Sequence, residues 1–238
     1  MLLHAADTGL SGANIRRLEY VNAEAVRMRQ LIESLLSLAQ SDTGTVVSRH
    51  TPLDFSFIVS SSVMTFEPLF FEMEKSIESM IEKNIVLNGD EKRLRQLVDI
   101  LMDNAGKYSA EKSQIKVNLC QTAKEALLTV TSEGTPLTQT EIRQIFYRFY
   151  RADPARSGVP GYGLGLSIAL DIAKEHGGTI MADSDGMKQN RFIVRLPALG
   201  QYACPCSPLT ALLPHPESSC RKISARNQGT INGVHENV

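Results

Sequence analysis

Two apolar series repeat every seven residues between positions 18 and 39: Leu18, Ala25, Ile32 and Ala39, interleaved with Val21, Met28 and Leu35. Arg16, Arg17, Glu24, Arg27, Arg29 and Glu33 fall outside that seam. Such an a/d pattern predicts a helix packed lengthwise against other helices, as in a coiled coil or four-helix bundle. A helix packed on its own domain is the plainer alternative. Ser41, Asp42, Thr43 and Gly44 end the helix with turn formers. The next stretch is less regular, with a helix expected over 53–66, Pro68 interrupting it, and short extended pieces near 77–81 and 85–87. Asp90 then reads as an N-cap, and Leu94, Leu97, Val98, Leu101, Met102 and Ala105 follow helical spacing, which predicts a helix over 91–108. Alternation at Ile115, Val117 and Leu119, at Leu128 and Val130, and at Phe192, Val194 and Leu196 predicts half-buried strands. Residues 139–150 and 167–176 read as helices, the second stopped by Gly177 and Gly178. Strands and helices mingle without strict βαβ alternation, so the expected class is an α/β sandwich with a mixed sheet.

Composition narrows the function. A chain of 238 residues holds one well-buried domain and an appendage, and its formal charge of −1 lacks the electrostatic footprint of a nucleic-acid binder. No apolar run approaches the ~18 residues that span a bilayer, so the chain is expected to be soluble, with no membrane segment. Of the four cysteines only Cys120 lies in the patterned part, so no disulfide framework is expected to hold a core, and a reducing cytoplasm fits. After Pro197 periodicity stops and Cys, Pro and Ser cluster, which predicts a disordered tail over 198–238. Cys204, Cys206, His215 and Cys220 match no common spacing for structural zinc.

Three groups of residues carry candidate chemistry. Asn104, Lys107 and Tyr108 stand at i, i+3 and i+4 on one helical stripe, offering an amide oxygen for a hard cation, a cation for phosphate and an aromatic plane for a base. Gly161, Gly163 and Gly165, with Tyr162, Leu164 and Leu166 between and after them, open a helix whose unpaired N–H groups form a natural phosphate cradle. The run follows no strand, which sets it apart from a dinucleotide fingerprint. Arg148 and Arg151 sit among Phe146, Tyr147, Phe149 and Tyr150, ahead of a small and polar stretch, in the manner of a flap on an aromatic anchor. Either arginine can reach a terminal phosphate or simply pack by its stem.

In order and spacing these groups resemble the boxes of the sensor histidine kinases. Residues 90–97 leading to Asp103, Asn104, Ala105, Gly106, Lys107, Tyr108 and Ser109 resemble the N box, residues 146–151 the F box, residues 161–166 the second glycine box, and His176, Gly177 and Gly178 the turn after it. Residues 24–39 resemble the second helix of the dimerisation and phosphotransfer hairpin. The resemblance covers roughly 15–197 and implies a two-layer Bergerat-type α/β sandwich over 45–197, preceded by a partial hairpin over 1–44. It implies ATP and Mg²⁺ as cofactors, with Asn104 holding the metal, Lys107 meeting phosphate, Tyr108 packing on adenine, and Gly161, Gly163, Leu164, Gly165 and Leu166 lining the phosphates. Arg148 and Arg151 join Lys107 as catalytic candidates. It also implies a hairpin histidine as acceptor, a response regulator as downstream partner, dimerisation through the hairpin, and a full-length protein anchored in the inner membrane with this part in the cytoplasm.

Two departures from the family pattern stand out. In the first glycine box the family carries an Asp, or in one subgroup an Asn, for the adenine amino group; here the aligned residue is Ser132, followed by Glu133 and Gly134. A hydroxyl accepts a hydrogen bond from that group but carries no charge and reaches less far, while Gly134 keeps the bend. The only early histidine is His4, which lacks the family's acidic neighbour, so the chain is not expected to phosphorylate itself. A noncatalytic nucleotide-binding or scaffold protein joining through the seam is the competing reading.

Overall fold

The computed structural model describes residues 12–43, 50–122, 124–152 and 162–199. Within them the heptad segment forms one helix, α1 (Gly12–Thr43), whose Leu18, Val21, Met28 and Ile32 are exposed. Strand β1 (Thr51–Asp54) then enters α2 (Phe55–Glu72), with the Asp54 carboxylate accepting the Phe57 N–H at 3.1 Å.

The helix expected over 53–66 is therefore shifted. Leu53 belongs to β1, where it faces Leu87 of β3 (Val86–Gly89) in an antiparallel pair, and the helix runs on through Pro68. Proline deprives the Met64 carbonyl of its helical donor, but both residues lie on the exposed face, where water can satisfy that carbonyl. Continuation also buries Phe70, whose ring packs so closely on Gly106 that a Cβ there would lie 2.7 Å from it. Tertiary packing thus overrides local propensity.

Strand β2 (Ser76–Ile81) precedes β3, and α3 (Glu91–Tyr108) follows it, capped by Asp90 accepting from Arg93 N–H. Next come β4 (Gln114–Gln121), β5 (Glu125–Glu133), α4 (Gln139–Gln144), α5 (Gly165–Glu175), β6 (Thr179–Ser184) and β7 (Gln189–Pro197). The main sheet has the order β2-β4-β5-β7-β6, with β2 parallel to β4 and every other pair antiparallel. Helices α2, α3 and α5 cover it in one layer, with Leu94, Leu97 and Leu101 packed among Ile115, Leu128, Val130 and Val194. This is the mixed two-layer sandwich expected. Backbone pairing continues past β7, since Ala198 and Leu199 donate to the Lys124 and Val86 carbonyls.

The helix expected over 139–150 stops at Gln144. Thr138 and Glu141 form a reciprocal capping box at its start, but Phe149 takes a left-handed backbone (φ 64°) to donate its N–H to the Gly163 carbonyl at 2.9 Å. That long-range bond replaces the helical one. Helix α5 begins two residues ahead of the expected Ser167 and ends where the glycines placed it: Gly177 at φ 69° and Gly178 donate to the Lys174 and Ala173 carbonyls.

His176 locks the ends of two helices together. Its Nδ1 lies 2.8 Å from the Ile172 carbonyl and its Nε2 accepts the Asp90 N–H at 3.0 Å, while His50 stacks on its face at 4.9 Å. Only a neutral ring with its proton on Nδ1 makes both bonds. Burial pushes this imidazole below its ordinary pKa and the neighbouring His50 adds to that, against the Ile172 carbonyl, Glu175 and Asp90. Because the unfolded chain takes up the proton first, this contribution to stability is complete above about pH 6.5 and is lost as pH falls through that value toward the lower folded one. Urea midpoints should drop over that window and drop less in His176→Gln, which keeps an acceptor without a titrating ring. Equal slopes in the two proteins would remove His176 from the account.

Candidate nucleotide site

The last two turns of α3 supply the first side of the site. Asn104 and Lys107 are half-buried and Tyr108 is exposed, with Lys107 Nζ held 2.6 Å from Asp103 Oδ2. Ile100 stands one turn before Asn104 on the same stripe. A Cβ added to Gly165 would lie 3.3 Å from the Ile100 side chain, so α5 starts against the very face that carries Asn104.

Sequence alone gave no sign of what secures the end of α3. Lys75, which follows Glu74 at φ 56°, donates its ammonium to the Gly106 and Ser109 carbonyls. A cation on the last carbonyls of a helix complements its negative pole. Burial holds the Lys75 pKa below its ordinary value, and Glu111 pulls the other way.

The end of β5 forms the floor. Ala126, Leu128, Val130 and Ser132 alternate on the inward face of the strand, so Ser132 is buried under the helix layer, paired across the sheet with Ile115 and Asn190. Two residues on, Gly134 bridges to Ser109, and Ala110 donates to the Glu133 carbonyl at 2.6 Å. This closure joins the floor to the end of α3. A Cβ on Gly134 would sit 2.4 Å from the Tyr108 carbonyl oxygen, a space only glycine can occupy. Asn190 was missed in the sequence: its side chain accepts from Leu137 N–H and donates to the Thr135 carbonyl, fixing the loop after Gly134. A polar residue in step with inward Phe192, Val194 and Leu196 was the signal that pointed to it.

The third side is the start of α5. Leu164 offers no side-chain cap, and no acidic residue occupies the first turn, so the N–H groups of residues 165–167 are open to an anion. Gly163, at φ 69°, lies beneath the F-box backbone, where a Cβ would meet the Tyr150 carbonyl at 2.6 Å. Leu164 is buried and Leu166 packs against the core, so both contribute backbone to the site while their side chains anchor it. Gly161 lies outside the described residues.

The structure gathers Asn104, Lys107, Tyr108, Ser132, Gly134, Gly163, Leu164, Gly165 and Leu166 around one edge of the sandwich. The arginines fit less directly. Arg148 is 3.8 Å from Asp171, six residues and so ~9 Å along α5 from Gly165. Arg151 is half-buried at the edge of the undescribed stretch 153–161. Of the aromatic anchor, Phe146 and Tyr150 pack on the core, whereas Tyr147 and Phe149 are exposed.

A mixed sandwich with a glycine-rich helix start facing an Asn–Lys helix defines the class of ATP-binding domains shared by histidine kinases, gyrase B and HSP90, and residues 89–200 match the family described as histidine kinase-, DNA gyrase B- and HSP90-like ATPase. Within that class these residues form a catalytic ATP-binding domain of the histidine kinase kind, similar to those of proteins named as sensor histidine kinases. Sensor protein DltS of Streptococcus agalactiae serotype III (strain NEM316) is 34% identical over 185 residues, covering 78% of this chain and 47% of that protein. Sensor histidine kinase YkoH of Bacillus subtilis (strain 168) is 37% identical over 164 residues, 67% of this chain and 34% of its own length. The chain thus spans less than half of these curated relatives. Among solved structures, the mycobacterial sensor histidine kinase MprB is 25% identical with a TM-score of 0.54, over 64% of this chain and 99% of that one. Histidine kinase ThkA, solved in complex with the response regulator protein TrrA, has the same fold at a TM-score of 0.63 and 20% identity, over 81% of this chain and 54% of that one.

Proposed function

We propose that this chain is the ATP-dependent catalytic module of a two-component sensor kinase, delivering the γ-phosphate of ATP to a histidine on a dimerisation hairpin for relay to a response-regulator aspartate. The observation that carries the reading is the convergence of the Asn104 stripe, the Ser132–Gly134 floor and the open start of α5 on one edge of the sandwich. Phosphoryl transfer requires alignment and charge neutralisation more than covalent chemistry by the protein, and these three sides supply both.

The N–H groups at the start of α5 hold the phosphates, with Gly163 and Gly165 permitting close approach. Lys107 releases Asp103 to meet phosphate as a point charge, Tyr108 packs on the adenine, and Ser132 accepts from its amino group. No cluster of three or more His, Cys, Asp or Glu side chains suited to a metal occurs among the described residues. The Asn104 amide oxygen would hold Mg²⁺ together with the phosphates of the nucleotide. When bound, Mg²⁺ neutralises phosphate charge. Arg148 and Arg151 are lesser candidates for the terminal phosphate, Arg151 being the nearer to the flap.

The proposed organisation is a hairpin portion over 1–44, the catalytic domain over 45–197 and a tail over 198–238. Among the described residues no helix is long and apolar enough to cross a membrane. The response-regulator partner is carried over from histidine kinase ThkA, solved in complex with one, and the cytoplasmic setting from the resemblance to the family. Ser132 in place of the expected carboxylate favours one rival, a noncatalytic scaffold, and a transfer assay separates the two. Incubated with γ-labelled ATP, Mg²⁺ and a separately supplied intact hairpin, the chain should place acid-labile label on the hairpin and none on itself. Calorimetry showing no Mg-dependent nucleotide binding would leave only the scaffold.

A further inference from the structure

Buried serines in this fold spend their hydroxyls. Ser56 donates to the Glu82 carbonyl, Ser62 to the Asp99 carboxylate, Ser113 to the Ala110 carbonyl and Ser167 to the Leu164 carbonyl, all at 2.7–2.8 Å. Ser132 differs: it is only 6% exposed, and its side chain makes no hydrogen bond among the described residues. A buried hydroxyl without a partner is costly, so a ligand group that satisfies it on binding is favoured.

The surroundings of Ser132 carry no charge. Its neighbours across the sheet are Ile115 and Asn190. Asn190 is 8% exposed and has one orientation, because its oxygen accepts from Leu137 N–H and its nitrogen donates to the Thr135 carbonyl. Those bonds leave it one lone pair and one hydrogen. The nearby acids are engaged elsewhere. Glu133 lies on the opposite face of β5 and pairs with Lys188 at 3.2 Å, Asp103 pairs with Lys107, and Asp99 accepts from Ser62.

Taking Ser132 as the group beneath the base, as the proposed function does, we propose that this neutral floor accepts a purine with either substituent at its six-position, so that 6-oxo purine nucleotides bind alongside ATP. Adenine presents a hydrogen-bond donor there, its amino group, whereas hypoxanthine and guanine present an acceptor, their oxo group. A carboxylate can only accept and so separates the two. A hydroxyl rotates to accept from one or donate to the other, and Asn190 adds a spare donor beside a spare acceptor. The remaining contacts are blind to the base: Tyr108 stacks on any ring, and the N–H groups opening α5 meet only phosphate.

Inosine triphosphate is the probe, since it differs from ATP at the six-position and N1 and adds nothing at C2. Calorimetry of the full chain with Mg²⁺ should give dissociation constants for ATP and inosine triphosphate within about tenfold of each other, the spread of one neutral hydrogen bond against another. Ser132→Asp should retain ATP and bind inosine triphosphate at least ~100-fold more weakly, because a buried carboxylate then faces an oxo oxygen with no proton between them. A wild-type preference for ATP beyond that tenfold overturns the proposal and leaves the nucleotide site standing. A Ser132→Asp protein that still binds the two alike overturns it as well, by showing that the base does not rest on residue 132. Binding of neither nucleotide by wild type would end the nucleotide-binding role itself. The wild-type comparison decides the matter whether or not the variant folds.

Discussion

Asn104→Ala should lose the magnesium-dependent part of nucleotide binding while leaving the fold intact. The side chain is half-buried on a helix whose core face, Leu94, Leu97, Leu101 and Ala105, does not depend on it. Alanine is also a better helix former than asparagine. Removing a polar partner of a charged ligand costs about 1.5–3 kcal/mol, so affinity for Mg-ATP should fall roughly 10- to 100-fold. Affinity measured in EDTA should change far less. Titration calorimetry of both proteins with and without Mg²⁺ checks this, and an equal loss under the two conditions would move the metal elsewhere.

Gly134→Ala should damage stability and binding together. The added Cβ meets the Tyr108 carbonyl oxygen at 2.4 Å and the Ser109 Cα at 3.4 Å, both backbone, so relief requires the end of α3 to move off the end of β5. Overpacking against backbone should cost about 3 kcal/mol, the upper part of the usual range. Gly165→Ala is the natural control, because its Cβ would meet only the Ile100 side chain at 3.3 Å. Denaturant midpoints should fall sharply for the first and little for the second. A Gly134→Ala protein as stable as wild type would show that the α3–β5 closure yields easily.

What the residues disclosed in advance follows from where their information lies. Helix α3 was legible to its ends, because Asp90 caps it locally and its apolar residues keep a single period. The first strand and β6 went unseen: β1 has four residues including Pro52, and β6 is an edge strand with little burial contrast. Misplaced boundaries had long-range causes, as with Phe70 drawing α2 past Pro68 and Gly163 drawing Phe149 out of α4. The ordered boxes singled out Asn104 and Lys107, which lie on α3, and Gly163 and Gly165 at the start of α5, as candidates. Lys75 and His176 act through carbonyls and N–H groups far along the chain, Lys75 on residues 106 and 109 and His176 on residue 90, and no local pattern encodes such partners.

The two helices around the site also present opposite electrical poles to it. The carbonyl end of α3, partly neutralised by Lys75, lies ~12 Å along that helix from the point where the amide end of α5 abuts Ile100. A field of this kind runs across the slot and exerts a torque on any ligand whose charge is unevenly distributed. A nucleoside feels almost none of it. On the proposed reading, a magnesium nucleotide, anionic along its phosphates and cationic at its metal, would be turned so that its phosphate oxygens face α5 and its metal faces Asn104. The scaffold would therefore favour one orientation of that ligand before any side chain closes on it.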